Sequence, residues 1–408
     1  MTARPFTVAM VAAMPYPMTK ASCIRVGHLV DNLSGEYEDI RVQVFAYQGT
    51  FGAPARPRVE YHLVGGFDSE KSQYYSWSNK LRADARVIRE MIRQRKAIDL
   101  IHCHTIEGLG IALAFKALTL SRAPICMDVH GPVVPELVHY RLIPDWRPVV
   151  AAVEALESGM MSFVRHAFVS NEGLRSLLEK RLARERVTVV FDYVDLDAFG
   201  AARIDRARLA ELRSRYKGAG ERLLTYVGMF KDYQGVDYLL RAFAEIAGRH
   251  PDLRLMLIGD GPCRAEYERL IGELGIAGRV HLPGLVQHSE VGNWLEIADI
   301  VASPRIDNEI TRAGFVSQMP EYMAAGKSIV ATAVSGCSFL LRDGAGILVK
   351  PNDVAALARG IETALTQDDD ATRAMAQKAR ENAAQFTWKQ GISAVYSVYR
   401  NLLAAGGR

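Results

Sequence analysis

Residues Ser303–Thr332 read SPRIDNEITRAGFVSQMPEYMAAGKSIVAT. The apolar run Ile300–Ala302 just before them predicts a strand. A polar turn follows and ends at Gly314. The segment MPEYMAAG predicts a helix closed by Gly326, and Ser328–Ala331 predicts the next strand. Strand, loop, helix and strand in that order make one unit of a parallel α/β sheet, and such sheets bind ligands at the carboxyl ends of their strands. The backbone N–H groups of Gly314, Phe315 and Val316 fall near the start of the helix. There the helix dipole and unpaired donors favour an anion such as a diphosphate. Glu321 lies in the first turns of that helix. A carboxylate beside an anion site suits sugar or ribose hydroxyls; a capping or surface glutamate is the plain alternative.

Outward from this stretch the same alternation fills the second half of the chain. Strands are expected at Leu223–Val227, Leu253–Ile258, Val280–Leu282 and Gly346–Val349. Helices are expected at Arg203–Tyr216, Val236–Ala247, Cys263–Leu274, Ser289–Ala298 and Asp353–Leu365, the last capped by Asp353. Asp368–Asp370 falls in a polar connection. The first half has its own series. Its expected strands are Thr7–Ala13, Arg41–Tyr47, Ile98–Cys103, Pro124–Val129, His166–Ser170 and Val187–Phe191. Its expected helices are Val26–Leu33, Leu81–Arg95, Leu109–Leu120 and Val149–Met161, with residues 14–25 read as a loop. Phe51–Ser78 reads as irregular, with Tyr74, Tyr75 and Trp77 forming either a packed loop or an acceptor lid. An amphipathic helix from Trp388 to Ala404 ends the chain. Two βα-repeating domains follow, over residues 1–200 and 201–385, with residues 386–408 as a separate final helix and the inter-domain cleft as the default site.

Composition narrows the class. The net charge of +4 divides evenly, with 24 Lys+Arg against 22 Asp+Glu in residues 1–200 and 26 against 24 in residues 201–408. No basic domain stands out, so nucleic acid is not the expected partner. The five cysteines are scattered, an odd count without a CxxC pair, which suits reduced thiols in a cytoplasm. No signal peptide and no membrane-spanning run is read from the sequence. Peripheral membrane contact and oligomeric state are left open.

Six motifs in the second half appear in a characteristic order: YVGMFKDYQGVDYLLRAF, LMLIGDGP, RVHLPGLV, ADIVASPR, PEYMAAGKSIVATAVSG and AGILVKPND. With PYPMTKASCIRV, DLIHCHTIEG, DVHGPVVPEL and the closing FTWKQ, they resemble family 4 of the retaining glycosyltransferases over nearly the whole chain. The resemblance implies the GT-B architecture, two Rossmann-like domains across a cleft, with the final helix returning to the first domain. It implies transfer of a sugar from a nucleotide-diphosphate donor, UDP favoured, with no metal and no cofactor. The acceptor would be a small molecule, a glycan or a lipid-linked sugar. Glu321 matches the family's glutamate on the donor ribose, and His130 matches the histidine that approaches the donor sugar. A capped core histidine is the alternative for His130.

Gly228, Lys231 and Gln234, in the loop after the first strand of the second half, would border the donor with Gly314, Phe315 and Val316. The chain departs from the pattern where Ala313 replaces a glutamate, Met229 an arginine and Gln234 a lysine. Glu309 is a candidate substitute for the missing glutamate. Arg305 and then Lys231 are the expected sources of charge for the diphosphate, with Arg312, Lys20 and Arg25 as further cations. On the acceptor side the candidates are Lys20, Arg25, His104, Glu107 and Glu136. His102 and His104 alternate onto one face of a strand with no third metal ligand visible in the sequence, so structural or acceptor-side roles are expected. A non-catalytic nucleotide-sugar-binding partner subunit of the same fold is the alternative reading.

Overall fold

The computed structural model describes residues 4–16, 21–49, 52–65, 77–139, 142–191, 204–313 and 316–406. Two compact units divide the chain: unit 1 is Met1–Phe191 with Trp388–Arg408, and unit 2 is Asp192–Thr387.

Unit 1 contains the strands β1 (Phe6–Tyr16), β2 (Ile40–Gln48), β3 (Val59–Val64), β4 (Leu100–His104), β5 (Ile125–Val129), β6 (His166–Val169) and β7 (Val187–Val189). The helices between them are α1 (Ala21–Glu36), α2 (Trp77–Arg93), α3 (Thr105–Thr119), α4 (Val133–His139), α5 (Arg147–Met161) and α6 (Glu172–Leu178). The sheet runs β3-β2-β1-β4-β5-β6-β7, and every pairing is parallel. Strand order reverses between β1 and β4, which is where doubly wound sheets open a crevice. The central strands are apolar without alternation because helices cover both faces. Val8 to Ala12 of β1 are fully buried. Gly108 lets α3 lie against β1: a Cβ there would stand 2.8 Å from the Val11 carbonyl oxygen.

Unit 2 holds α7 (Arg206–Tyr216), β8 (Arg222–Val227), α8 (Val236–Ala247), β9 (Leu253–Ile258), α9 (Arg264–Glu273), β10 (Val280–Gly284), α10 (Val291–Ile297) and β11 (Ile300–Ser303). It continues through α11 (Glu309–Ala313), α12 (Met319–Ala325), β12 (Ser328–Thr332), α13 (Ser335–Leu340), β13 (Ile347–Val349), α14 (Val354–Thr366) and α15 (Asp369–Ala383). Its parallel sheet runs β10-β9-β8-β11-β12-β13, reversing between β8 and β11. Gly326 closes α12 in the left-handed conformation, and Asp353 caps α14 by accepting from the Ala356 N–H at 2.9 Å. The final helix α16 (Trp388–Gly406) returns to unit 1. Its Tyr396 stacks on Tyr37 with ring centroids 3.7 Å apart and donates to Asp39 at 2.7 Å.

Four local expectations fail. Val59–Val64 is β3, held by parallel pairing along β2 in a stretch whose composition reads as irregular. Helix α1 begins at Ala21, so Arg25 is helical and not in a loop. The polar segment after β11 contains the short helix α11. Asp368 is not in a polar connection: it caps the 15-residue helix α15 by accepting from the Ala371 N–H at 2.8 Å.

Candidate functional site

In unit 2 the loops that leave β8, β9, β10 and β11 are laced together through their backbones. Gly228 donates to Ile258, Phe230 to Asp260 and Gly259 to Gly284, each at 2.9 Å, and Ile306 donates to Tyr233 at 3.2 Å. Two glycines make this possible. Gly235 (φ 69°) lies so close to the Pro304 backbone that a Cβ would come within 2.1 Å of its carbonyl oxygen. Gly259 (φ 138°) would meet the Gly228 oxygen at 1.9 Å. Both also need a backbone conformation that L side chains rarely adopt.

Two cations gather on this platform around Tyr233. The Lys231 ammonium donates to the Tyr233 hydroxyl at 3.0 Å and lies 5.2 Å from its ring centre. The Arg305 guanidinium, on the chain leaving β11, lies 5.9 Å from the same ring centre. Arg305 is only 4% exposed, and its carbonyl accepts from Thr332 Oγ1 at 2.6 Å. Glu321 stands in the first turn of α12 and accepts from His288 Nε2 at 2.6 Å. Burial alone would lower the His288 pKa. The charge and hydrogen bond of Glu321 outweigh it, so the imidazole titrates above its ordinary value. Tyr322, the next residue, binds the Val227 backbone N–H through its hydroxyl at 2.8 Å and ties α12 to the end of β8.

In unit 1 the corresponding strand ends hold a buried polar cluster. Arg25 Nε pairs with Asp128 Oδ2 at 2.8 Å, Arg25 being 3% exposed. His104 lies across from Asp128 in the β4–β5 register, 3.7 Å from its carboxylate. His104 Nδ1 and His130 Nε2 are 3.2 Å apart. His102 stacks on His104 with ring centroids 4.7 Å apart and shares a 2.5 Å hydrogen bond with the Tyr399 hydroxyl of α16. Burial pushes His102 down to about 4 and His104 well below its ordinary range, so both imidazoles are neutral at physiological pH. Burial would raise Asp128, but Arg25 and the surrounding histidines hold it well below the usual carboxylate range. The Thr105 backbone adopts φ 64°, uncommon for a β-branched residue, as α3 starts immediately after His104.

Ligand atoms of His102, His104 and Asp128 lie within 4.8 Å of one another. Asp128 is thus the third group that the sequence did not reveal. Arg25 already neutralises its carboxylate, so a cation there would face a guanidinium in a fully desolvated site. The donor set fits an ion pair with neutral imidazoles better than a metal.

Two family models match the chain: "Glycosyltransferase Family 4" over residues 26–198 and "Glycosyl transferases group 1" over residues 210–386. The chain belongs to glycosyltransferase family 4. An alpha-D-kanosaminyltransferase of Streptomyces kanamyceticus is 31% identical over 212 residues, covering 52% of this chain and 53% of that protein. A D-inositol 3-phosphate glycosyltransferase of Salinispora arenicola is 31% identical over 234 residues, 54% of this chain and 51% of that protein. The chain therefore spans about half the length of these two curated relatives. Two solved structures share the fold over nearly their full length. Sucrose-phosphate synthase from Thermosynechococcus elongatus superposes with a TM-score of 0.76 at 20% identity, covering 98% of this chain and 100% of that one. Anabaena HepE in complex with UDP and glucose gives 0.72 at 18% identity, covering 97% and 100%.

Several residues singled out from the family 4 motifs come together in unit 2. Gly228, Lys231, Gln234 and Arg305 lie on the laced loops, and Glu321 lies at the start of α12. Gln234 Oε1 is buried with no hydrogen-bond partner among the described residues. Val316 is fully buried, ahead of α12. Gly314, Phe315 and Lys20, with Tyr74 and Tyr75, lie outside the described residues. Arg312 pairs with Asp307 at 2.7 Å on the surface, and Glu309 is exposed.

In unit 1 the residues expected on the acceptor side divide. Glu107 is exposed in the first turn of α3, and Glu136 is half-buried in α4 beside Gly131. Arg25, expected in an acceptor-side loop, is a correction: it is buried in helix α1 and pairs with Asp128, since an unpaired charge at that depth would be costly. His104 is buried in the same cluster, in line with the structural one of its two expected roles. Sequence reasoning missed Tyr233, His288, Asp128 and Tyr399. Tyr233 and Asp128 stood inside quoted motifs (DYQG and DVHG), a signal available but unread. His288 and Tyr399 carried no local signal.

Proposed function

We propose that this family 4 chain transfers a sugar from a nucleotide-diphosphate donor to a small-molecule, glycan or lipid-linked acceptor, with retention of configuration and without metal. The observation that carries the reading is the pair of cations, Lys231 and Arg305, gathered at Tyr233 on the strand-end loops of unit 2. A departing diphosphate develops charge that preorganised cations and dipoles stabilise. Met229 and Gln234 cannot supply that charge; Lys231 and Arg305 can. Glu321 is assigned to the ribose hydroxyls and His130 to the transferred sugar. UDP is the favoured nucleotide, in keeping with the UDP complex of the same-fold HepE. Ala313, Met229 and Gln234 also favour a second reading, a nucleotide-sugar-binding partner subunit without activity.

A thermal-shift panel of nucleotide sugars, followed by assay of nucleotide-diphosphate release with and without chelator, tests both. A transferase stabilised by a UDP-sugar releases UDP slowly without acceptor, and excess chelator leaves the rate unchanged. Binding without release supports the partner subunit. Activity that disappears with chelator and returns with magnesium or manganese overturns the metal-free diphosphate site.

A further inference from the structure

Helix α3 reads TIEGLGIALAFKALT and is apolar nearly all round. A helix of that kind needs cover on both faces. Its inner face has it: Leu109, Ala112 and Phe115 are fully buried, and Gly108 lies against β1. Its outer face is the floor of an open groove of about 600 Å³. Ile106 and Gly110 form that floor, and Leu81 and Ile88 of α2 face Leu156 and Met160 of α5 across it. Leu81 and Leu156 are each 64% exposed, large apolar side chains held at the groove's edges. The volume is that of a site for a small ligand.

The two glycines of α3 have different reasons to be there. Gly108 is required by the close approach to β1. Among the described residues, an added Cβ at Gly110 would meet only the Met160 methyl, at 3.7 Å, an ordinary contact. Packing does not demand a glycine at Gly110; its effect is to keep the floor of the groove low.

Charge at the rim restricts the ligand. Lys80 is matched by Asp84 at 3.2 Å, and Glu157 by Arg181 at 2.5 Å. Among the described residues Glu107 makes no ion pair, so the rim carries a net negative charge at that end. Glu107 is three residues past His104, in the first turn of α3, at the carboxyl end of β4 where His104 meets His130. The uncompensated carboxylate therefore marks the end of the groove nearest the polar cluster.

We propose that this groove binds the apolar body of the acceptor, an amphiphile whose uncharged or cationic head lies at the Glu107 end. The assignment rests on the transferase reading above and adds the acceptor's class to it. An anionic amphiphile is disfavoured by Glu107, whereas an amine or hydroxyl head finds an acceptor there.

The test uses three short-chain probes on the full chain below their micelle concentrations: n-octyl glucoside, octylamine and octyl phosphate, titrated by calorimetry. UDP-sugar binding is measured on the same samples. Octyl glucoside and octylamine should bind saturably, with octyl phosphate weaker than octylamine by about tenfold or more. Gly110→Leu, which fills the floor, should abolish binding of all three with unfolding temperature and UDP-sugar binding unchanged. Leu156→Asp, at an exposed edge, should do the same should Gly110→Leu fail to fold. Glu107→Gln should remove the preference for amine over phosphate and leave octyl glucoside bound. No saturable binding by the wild-type chain, or binding that persists in Gly110→Leu, overturns the proposal. So does self-association of the chain that Gly110→Leu abolishes, which assigns the groove to a second copy. If the probes fail while UDP-sugar still binds, the groove assignment falls and the transferase reading stands. If no nucleotide sugar of the panel binds the wild-type chain, that reading falls whatever the probes do.

Discussion

Unit 1 and unit 2 are built alike, each a parallel sheet whose order reverses beside its first strand, yet their strand ends carry opposite chemistry. At the end of β4 and β5 the polar atoms face one another. Arg25 and Asp128 cancel, and His102 and His104 are neutral and buried. At the end of β8 and β11 glycine-bearing backbones are laced together, and two cations share one tyrosine ring. A cluster whose charges cancel internally can position a neighbour such as His130 but has little left to attract an ion. One architecture thus carries an internally paired polar cluster in one unit and two cations at one tyrosine ring in the other.

The sharpest way to break this comparison is Arg25→Ala. It leaves Asp128 buried without its counter-charge, and breaking such a pair costs about 3–5 kcal/mol. Denaturant unfolding should register that loss, whereas Lys231→Ala in unit 2 should leave stability almost unchanged. Equal stability of the two variants would show that the Arg25 pair is not structural. Next in size is Arg305→Ala. A hydrogen bond to a charged group contributes roughly 1.5–3 kcal/mol, so UDP binding by calorimetry should weaken about ten- to a hundred-fold while uridine binding changes little. Equal weakening of both ligands would make Arg305 a structural residue.

Glu321→Ala provides the converse. Ribose is common to both ligands, so UDP and uridine should weaken together, by about tenfold. An unchanged affinity in a folded variant removes Glu321 from the ribose. The smallest effect belongs to His288, whose ring is partly exposed. Its raised pKa means that the stabilisation from its pairing with Glu321 is fully present below about pH 6.5 and is lost as pH rises through the raised value. The stability gap between wild type and His288→Gln should therefore be a few tenths to about 1 kcal/mol near pH 6 and close by pH 9. A gap that widens with pH would mean that the neutral imidazole is the stabilising form.

The βα alternation and the Gly326 and Asp353 caps were readable from the chain. Each depends on residues a few positions apart, whose spacing sets the helix or turn they form. The errors have the opposite origin. Val59–Val64 lies in a glycine- and proline-rich stretch and becomes β3 because β2 offers its open edge. Arg25 looked like a free loop cation until the fold brought Asp128, more than a hundred residues away, to its guanidinium. His288 and Glu321 are likewise distant in sequence, and Tyr399 reaches His102 from the last helix.

Local spacing and turn chemistry, then, already determine in the sequence that this chain forms parallel α/β units. Ordered family motifs extend that to glycosyltransferase family 4. Only the tertiary structure decides which charges cancel. It also decides which face of α3 is covered and which, among the described residues, remains open. The reason is physical: a charge or an apolar surface is valued by what surrounds it, and those surroundings come from chain segments that the sequence keeps far apart.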